Sequence, residues 1–112
     1  MGERTRLAVY VAALTLISGV AAADCYDVFG CSDRNRFRFE ALTSGPNCEF
    51  LYVMRNRIYA QHGYCFHTAR AIATFGNRGC VSGDANALGL NAIELGNATT
   101  ILAAERALGC PE

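Results

Sequence analysis

The chain has 112 residues, zero formal net charge and no tryptophan, and about half of its residues are hydrophobic. A chain of this length forms at most one small domain, whose core is marginal without covalent support. The equal numbers of basic and acidic side chains argue against a nucleic-acid-binding protein, because binding to phosphates normally requires a basic excess.

Residues 1–23 have the pattern of a secretory signal peptide. Arginines precede an apolar run that is too short to span a bilayer comfortably, and Ala21 and Ala23 supply the small residues of a cleavage site. We therefore predict a mature chain that forms a single domain over residues 24–112, located in the bacterial periplasm or secreted. No segment of this mature chain is predicted to cross a membrane.

All six cysteines lie in the predicted mature chain. In an exported protein an even number of cysteines indicates disulfides, whereas in the cytosol the same residues would suggest a metal site. Fifteen pairings are possible, and we favour two bonds that close short loops and one that ties two long helices together. These pairs are Cys25–Cys31, Cys65–Cys80 and Cys48–Cys110. We predict no metal and no cofactor.

The first part of the mature chain is predicted to be irregular. Residues 24–31 form a small loop between two cysteines. In residues 32–39 three arginines alternate with other side chains, so an extended segment would direct Phe37 and Phe39 inward and the arginines outward. We interpret these arginines as a solvated face and predict no nucleic-acid partner.

The segment from Asn47 to Gly63 predicts the first long helix. Asn47 is a natural N-cap, and Gly63 can adopt the left-handed conformation that ends a helix. Arg55 lies on the apolar face, whereas Arg57 lies on the opposite face, so we expect Arg55 to be partly buried and paired with a carboxylate or carbonyls. Arg55 and Asn56 either fasten the helix to neighbouring loops or bind an anionic or sugar-like ligand. The structural role is favoured, because buried polar groups are usually satisfied internally.

A second, shorter helix is predicted after an extended piece. Thr68 caps it, and its apolar edge consists of Ala69, Ile72 and Phe75. A turn-rich segment then leads the chain to Cys80.

A last helix follows the turn-rich loop 82–89, with Asn91 and Glu94 as a capping pair. Leu95 and Leu102 point away from its apolar stripe, and they either rest on the N-terminal segment or form a dimer contact. The stripe itself comprises Leu90, Ile93, Ile101, Ala104 and Leu108. Asn97 begins a glycosylation sequon, which we attribute to chance.

Residues 48–80 contain a motif with many positions at defined spacing. Its residues are Leu51, Tyr52, Arg55, Asn56, Ile58, Tyr59, Ala60, His62, Gly63, Tyr64 and Phe66, with Phe75 beyond them. This pattern resembles the YARHG domain family. Gln61 stands where the family name has arginine, and Gly79-Cys80 stands where many members continue with aromatic residues, so the chain looks like a cysteine-containing branch. The resemblance implies a bacterial extracellular or periplasmic domain and supplies no catalytic residues.

Candidate catalytic groups are few. Cys65 and His67 lie two residues apart on an extended piece, which is a nucleophile pattern only if the thiol is free. His62 lies near the end of a helix, where a cation is favoured. We interpret both histidines as structural and predict a protein without enzymatic activity.

The sequence therefore predicts a mainly α-helical, disulfide-stabilised domain with about three helices and an irregular N-terminal segment. We expect a non-catalytic binding module whose partner is a cell-envelope component or a secreted protein. The candidate residues, either structural anchors or ligand contacts, are Tyr52, Arg55, Asn56, Tyr59, His62 and Tyr64. Two alternatives are a secreted inhibitor of a protease or lysozyme that uses the 82–89 loop, and a small hydrolase that uses His62 or His67.

Overall fold

The structure, a computed structural model, describes residues 24–112. The described chain forms a short hairpin and four α-helices, which confirms the predicted mainly helical, disulfide-stabilised fold and adds one helix to it. Its elements are β1 (Cys25–Tyr26), β2 (Gly30–Cys31), α1 (Phe39–Leu42), α2 (Cys48–Ala60), α3 (Ala69–Phe75), a 3₁₀ turn (Ala85–Ala87) and α4 (Ala92–Ala107). The signal peptide predicted at residues 1–23 lies outside the described residues.

The hydrophobic core lies mainly between α2 and α4, with side chains from the segment before α2 completing it. Apolar residues of α2 recur every three or four positions and so share one face of the helix. The buried core residues are Phe37, Leu42, Leu51, Met54, Ile58, Ala98, Ile101 and Ala104. The most important packing contact in the domain is therefore between the two long helices.

Both ends of α2 form as predicted. The side-chain oxygen of Asn47 accepts the Phe50 N–H at 2.8 Å, which satisfies a donor that the first turn leaves unpaired. Beyond the last turn Gly63 has a φ of +84°, and a Cβ there would lie 2.6 Å from a methyl group of Val81. Glycine is therefore required at position 63 both for backbone conformation and for space.

The extended segment predicted for residues 32–39 is confirmed only in part: residues 32–34 form a turn, and residues 36–38 lead into α1. Phe37 is buried as expected, but Phe39 is 39% exposed and begins α1. Asn97 of α4 fixes this segment: its side-chain oxygen accepts the Phe37 N–H, and its amide donates to the carbonyls of Ser32 and Asn35. A side chain on another helix thus satisfies the backbone of this segment, and no strand partner is needed.

The N-cap of α3 is confirmed, but its predicted apolar edge forms only at Phe75, which stacks on the ring of Phe66. The Thr68 hydroxyl oxygen accepts the Ala71 N–H at 3.1 Å. Ala69 is exposed and Ile72 is 42% exposed, whereas Ala71 is buried. This helix has only seven residues, so its periodicity is too short to define a face, and its contacts with α2 decide which side is covered.

α4 begins with the predicted capping box between Asn91 and Glu94. Its buried face differs from the predicted apolar stripe, because Leu108 is 43% exposed while three polar residues are buried. The buried residues of α4 are Glu94, Asn97, Ala98, Ile101, Ala104 and Glu105. Hydrophobic periodicity does not detect a buried face of this composition, because it assigns every polar side chain to the solvent side, including those that are buried with a partner.

All six cysteines form disulfides, in the three pairs that the sequence argument favours. Cys25–Cys31 closes the hairpin at a position where the two residues face each other across β1 and β2. Cys48–Cys110 joins the first residue of α2 to the segment that follows α4, and Cys65–Cys80 closes the loop that contains α3.

Tyr26 makes the stability of the domain sensitive to alkaline pH. Burial, followed by the charge of Asp24 and the hydrogen bond to it, raises the pKa of Tyr26 to about 12 from an ordinary value of 10.0. The folded state therefore keeps this proton longer than the unfolded state does. Its contribution to stability is complete below pH 10 and is lost as the pH rises towards 12. Urea unfolding from pH 8 to pH 12 should show this decrease, and Tyr26→Phe should show a smaller one; an identical pH dependence would contradict the assignment.

Candidate functional site

Arg55 forms an ion pair with Glu105 of α4. The Arg55 Nε donates to Glu105 Oε1 at 2.5 Å, and Nη2 donates to Oε2 at 3.1 Å. The two side chains are only 17% and 3% exposed. The prediction of a partly buried guanidinium with a carboxylate partner is therefore confirmed, and its two parallel hydrogen bonds fix the geometry of the pair.

His62, just beyond α2, makes a second contact between a side chain of this region and a buried carboxylate of α4. Its Nε2 lies 2.8 Å from Glu94 Oε2, and Glu94 is almost fully buried. The other oxygen of Glu94 accepts the Asn91 N–H at 2.9 Å. One carboxylate thus closes the capping box of α4 and also binds the imidazole just beyond the end of α2.

The Arg55–Glu105 ion pair, the His62–Glu94 contact and the Cys48–Cys110 disulfide all indicate the same relative direction of α2 and α4. The N-terminal part of α2 contacts the C-terminal part of α4, and the opposite ends of these helices also meet. The helices are therefore antiparallel, with Arg55 on α2 and His62 just beyond its C-terminal end. This arrangement supports the structural interpretation of both residues.

His62→Gln is expected to lower the melting temperature by about 4–8 °C, which corresponds to about 1 kcal/mol in a domain of this size. The physical reason is the weakened contact to Glu94, which is only 6% exposed in its side chain. Differential scanning calorimetry measures the shift. His67→Gln is the matched control, because His67 is exposed and its one hydrogen bond within residues 24–112 is to the Gly83 carbonyl, at 3.2 Å. Equal melting temperatures for the two variants would contradict the assignment.

Four of the six candidate residues line one groove, which has a volume of about 320 Å³. The groove lies between α2, the segment 64–68 and the start of α3. Its lining residues are Tyr52, Arg55, Asn56, Tyr64, Phe66, His67, Thr68, Arg70, Leu102 and Glu112. The other two candidates lie elsewhere: Tyr59 packs on the core, and His62 lines a neighbouring cavity of about 410 Å³.

Arg70 is a residue of the groove that sequence reasoning missed. Its guanidinium carbon lies 3.5 Å from the centroid of the Tyr52 ring, which is a cation–π contact, while the guanidinium of Arg55 lies 5.7 Å from the same centroid. Arg70 Nη2 also donates to Glu49 at 2.8 Å. The only signal in the sequence was a charged residue two positions after the predicted cap Thr68, and such residues are usually solvated.

Polar and aromatic side chains complete the groove. Asn56 is 9% exposed and donates from Nδ2 to the carbonyl of Tyr52 at 2.9 Å. The ring of Tyr64 contacts those of Phe66 and His67 edge to face. Leu102 lies in the groove wall. This arrangement can bind a ligand through hydrogen bonds, charge and aromatic contact.

The nucleophile pattern of Cys65 and His67 does not form. Cys65 is bonded to Cys80, so it has no thiol to deprotonate. Glu112 is the one carboxylate side chain in the groove lining, and it accepts a hydrogen bond from Arg106 at 3.2 Å.

The residues that sequence reasoning missed on α4 are Glu94, Asn97 and Glu105. Glu94, Ala98, Ile101 and Glu105 are spaced by four, three and four positions, so both carboxylates share a face with core residues. A polar residue on the same helix face as core residues must have a buried partner, and this register could have identified both glutamates from the sequence.

Three disulfides and a small helical core define a domain of extracellular type, because disulfides persist in oxidising compartments. The chain belongs to the YARHG family: the family model, described as YARHG domain, matches residues 29–106. No curated protein and no solved structure gave a significant match. Among the described residues no helix is long and apolar enough to cross a membrane.

Proposed function

We propose that this chain is an exported, non-catalytic binding module of the bacterial cell envelope or extracellular space, and that the groove is its ligand site. Location in the periplasm or outside the cell is supported by the disulfides, by the family and by the predicted signal peptide at residues 1–23.

The observation that carries the proposal is the supply of unused donors in the groove. Arg55 uses Nε and Nη2 for Glu105, and Arg70 uses Nη2 for Glu49, so within residues 24–112 the remaining guanidinium N–H groups make no hydrogen bond. Donors beside aromatic rings in a concave site are typical of binding sites for polar ligands.

The non-catalytic part of the proposal rests on the state of the candidate groups. The Cys65 sulfur is oxidised, and His62 is engaged by a buried carboxylate. His67 is exposed, and its Nε2 lies 3.2 Å from the backbone carbonyl of Gly83.

A pull-down of the mature protein against purified peptidoglycan and periplasmic extract tests the proposal. We expect His67→Ala and Arg70→Gln to reduce capture of the bound component. Arg36→Gln is the control, since Arg36 is exposed and makes no ion pair within residues 24–112. Capture that is equal for all three variants and the unmodified protein would refute the groove as the binding site.

The inhibitor hypothesis has one observation in its favour. The loop 82–89 follows Cys80, and its start is held by the Cys65 N–H, which donates to the Ser82 carbonyl at 2.7 Å. Val81 at the base of the loop is 73% exposed. A constrained, exposed loop suits insertion into an enzyme cleft. Assays of lysozyme and serine-protease activity with excess protein test this function, and uninhibited enzymes would remove it for those targets.

A further inference from the structure

Arg70 differs from the other cation of the groove in how its charge is balanced. Arg55 is paired with Glu105, whose side chain is 3% exposed, so that pair is permanent in the folded domain. Arg70 is paired with Glu49, and their side chains are 38% and 65% exposed. Exposed pairs of this kind are weak, so a ligand anion can take the place of Glu49.

The stacking of Arg70 on Tyr52 holds the guanidinium in the groove wall without using its N–H groups. Its Nε and Nη1 have no hydrogen-bond partner within residues 24–112. A planar guanidinium held in this way matches the planar, two-oxygen geometry of a carboxylate. Glu112, the one acidic side chain among the lining residues, accepts a hydrogen bond from Arg106 in a pair whose side chains are 60% and 64% exposed.

The remaining lining favours a hydroxyl-rich ligand over an extended peptide. Asn56, Tyr64 and Thr68 supply polar side-chain atoms in a groove of about 320 Å³. The backbone beside them is already used: the N–H and the carbonyl of Phe66 both bond to the Asn77 side chain. A peptide therefore cannot add as a strand along this part of the segment.

We propose that the groove binds an acidic sugar, with its carboxylate on Arg70 in place of Glu49 and its hydroxyls on the neutral polar side chains. This inference rests on the proposed function of the groove and adds the chemical class of its ligand.

Titration of the ¹⁵N-labelled protein with glucuronate and with glucose tests the inference, because the two probes differ only in the carboxylate. We expect glucuronate to bind at least about tenfold more tightly, with the largest shift on the Arg70 Nε–H signal. Arg70→Gln should abolish this preference. Glu49→Gln should raise the affinity for glucuronate about two- to fivefold, because a competing carboxylate is removed.

Arg36→Gln is the control and should behave as the unmodified protein does. Glu49→Gln keeps the test valid if Arg70→Gln fails to fold, because Glu49 is exposed. Equal affinity for glucose and glucuronate, or no effect of Glu49→Gln, would overturn the inference. Binding of N-acetylglycine as tight as that of glucuronate would overturn the sugar assignment.

The failure of this inference can be told from the failure of the proposed function. If envelope capture depends on His67 while glucuronate does not bind, only the ligand class is wrong. If envelope capture is the same for all groove variants, the proposed function is wrong.

Discussion

Replacement of Cys48 and Cys110 by serine is expected to lower the free energy of unfolding by about 4 kcal/mol. The two cysteines are separated by 62 residues, and their bond restricts the unfolded chain more than a short loop does. The bond also joins the start of α2 to the end of α4, the two helices that enclose the core. A loss of this size is a large fraction of the stability of a small domain.

The matched control is the serine replacement of Cys25 and Cys31, which are separated by only six residues. The same loop model gives about 2 kcal/mol for this bond. Urea unfolding of both variants, followed by circular dichroism, measures the difference. If removal of the short-loop bond cost as much as removal of the long-loop bond, loop closure would not be the source of the stabilisation.

Arg55→Met is expected to lower the free energy of unfolding by about 3 kcal/mol. Methionine keeps much of the side-chain volume but leaves the carboxylate of Glu105 buried without a partner. Arg57→Met is the control on the other side of the same helix. Arg57 also forms an ion pair, with Asp24, but its side chain is 47% exposed, so its loss should cost less than about 1 kcal/mol.

A third variant separates the cost of an unpaired charge from the cost of lost packing. Arg55→Met combined with Glu105→Leu removes both charges, and it should recover most of the stability that Arg55→Met loses. Chemical denaturation of the single and double variants provides the cycle. Equally mild effects of Arg55→Met and Arg57→Met would show that Glu105 tolerates the loss of its partner, and the double variant would then bring no recovery.

The sequence by itself determined the features that depend on neighbours in the chain. The N-caps at Asn47 and Thr68 and the capping box at Asn91 formed as predicted, because each needs only a side chain and backbone groups two or three residues away. The left-handed Gly63 belongs to the same class. The three disulfides also agree with the pairs that loop length and helix pairing favoured.

The need of Arg55 for a partner could also be predicted, because a guanidinium on an apolar helix face requires one. Which residue meets that need could not be predicted, since Glu105 is 50 positions away and its register on α4 indicates only that it needs a buried partner. The same holds for Glu94 and His62. Identifying these partners requires the antiparallel placement of α2 against α4.

Tertiary structure alone decided the course of residues 32–39, the covered face of α3 and the make-up of the groove. Asn97 supplies the hydrogen bonds that a strand partner would give to residues 32–39. Arg70 lines the groove because α3 places it over the Tyr52 ring. Hydrophobic periodicity records which side chains avoid water, and it carries no information about which polar groups meet across the fold. The Arg55–Glu105 ion pair, the bonds of the buried Asn97 amide and the groove all depend on residues that are distant in the sequence, so they follow from the packing of the helices rather than from local pattern.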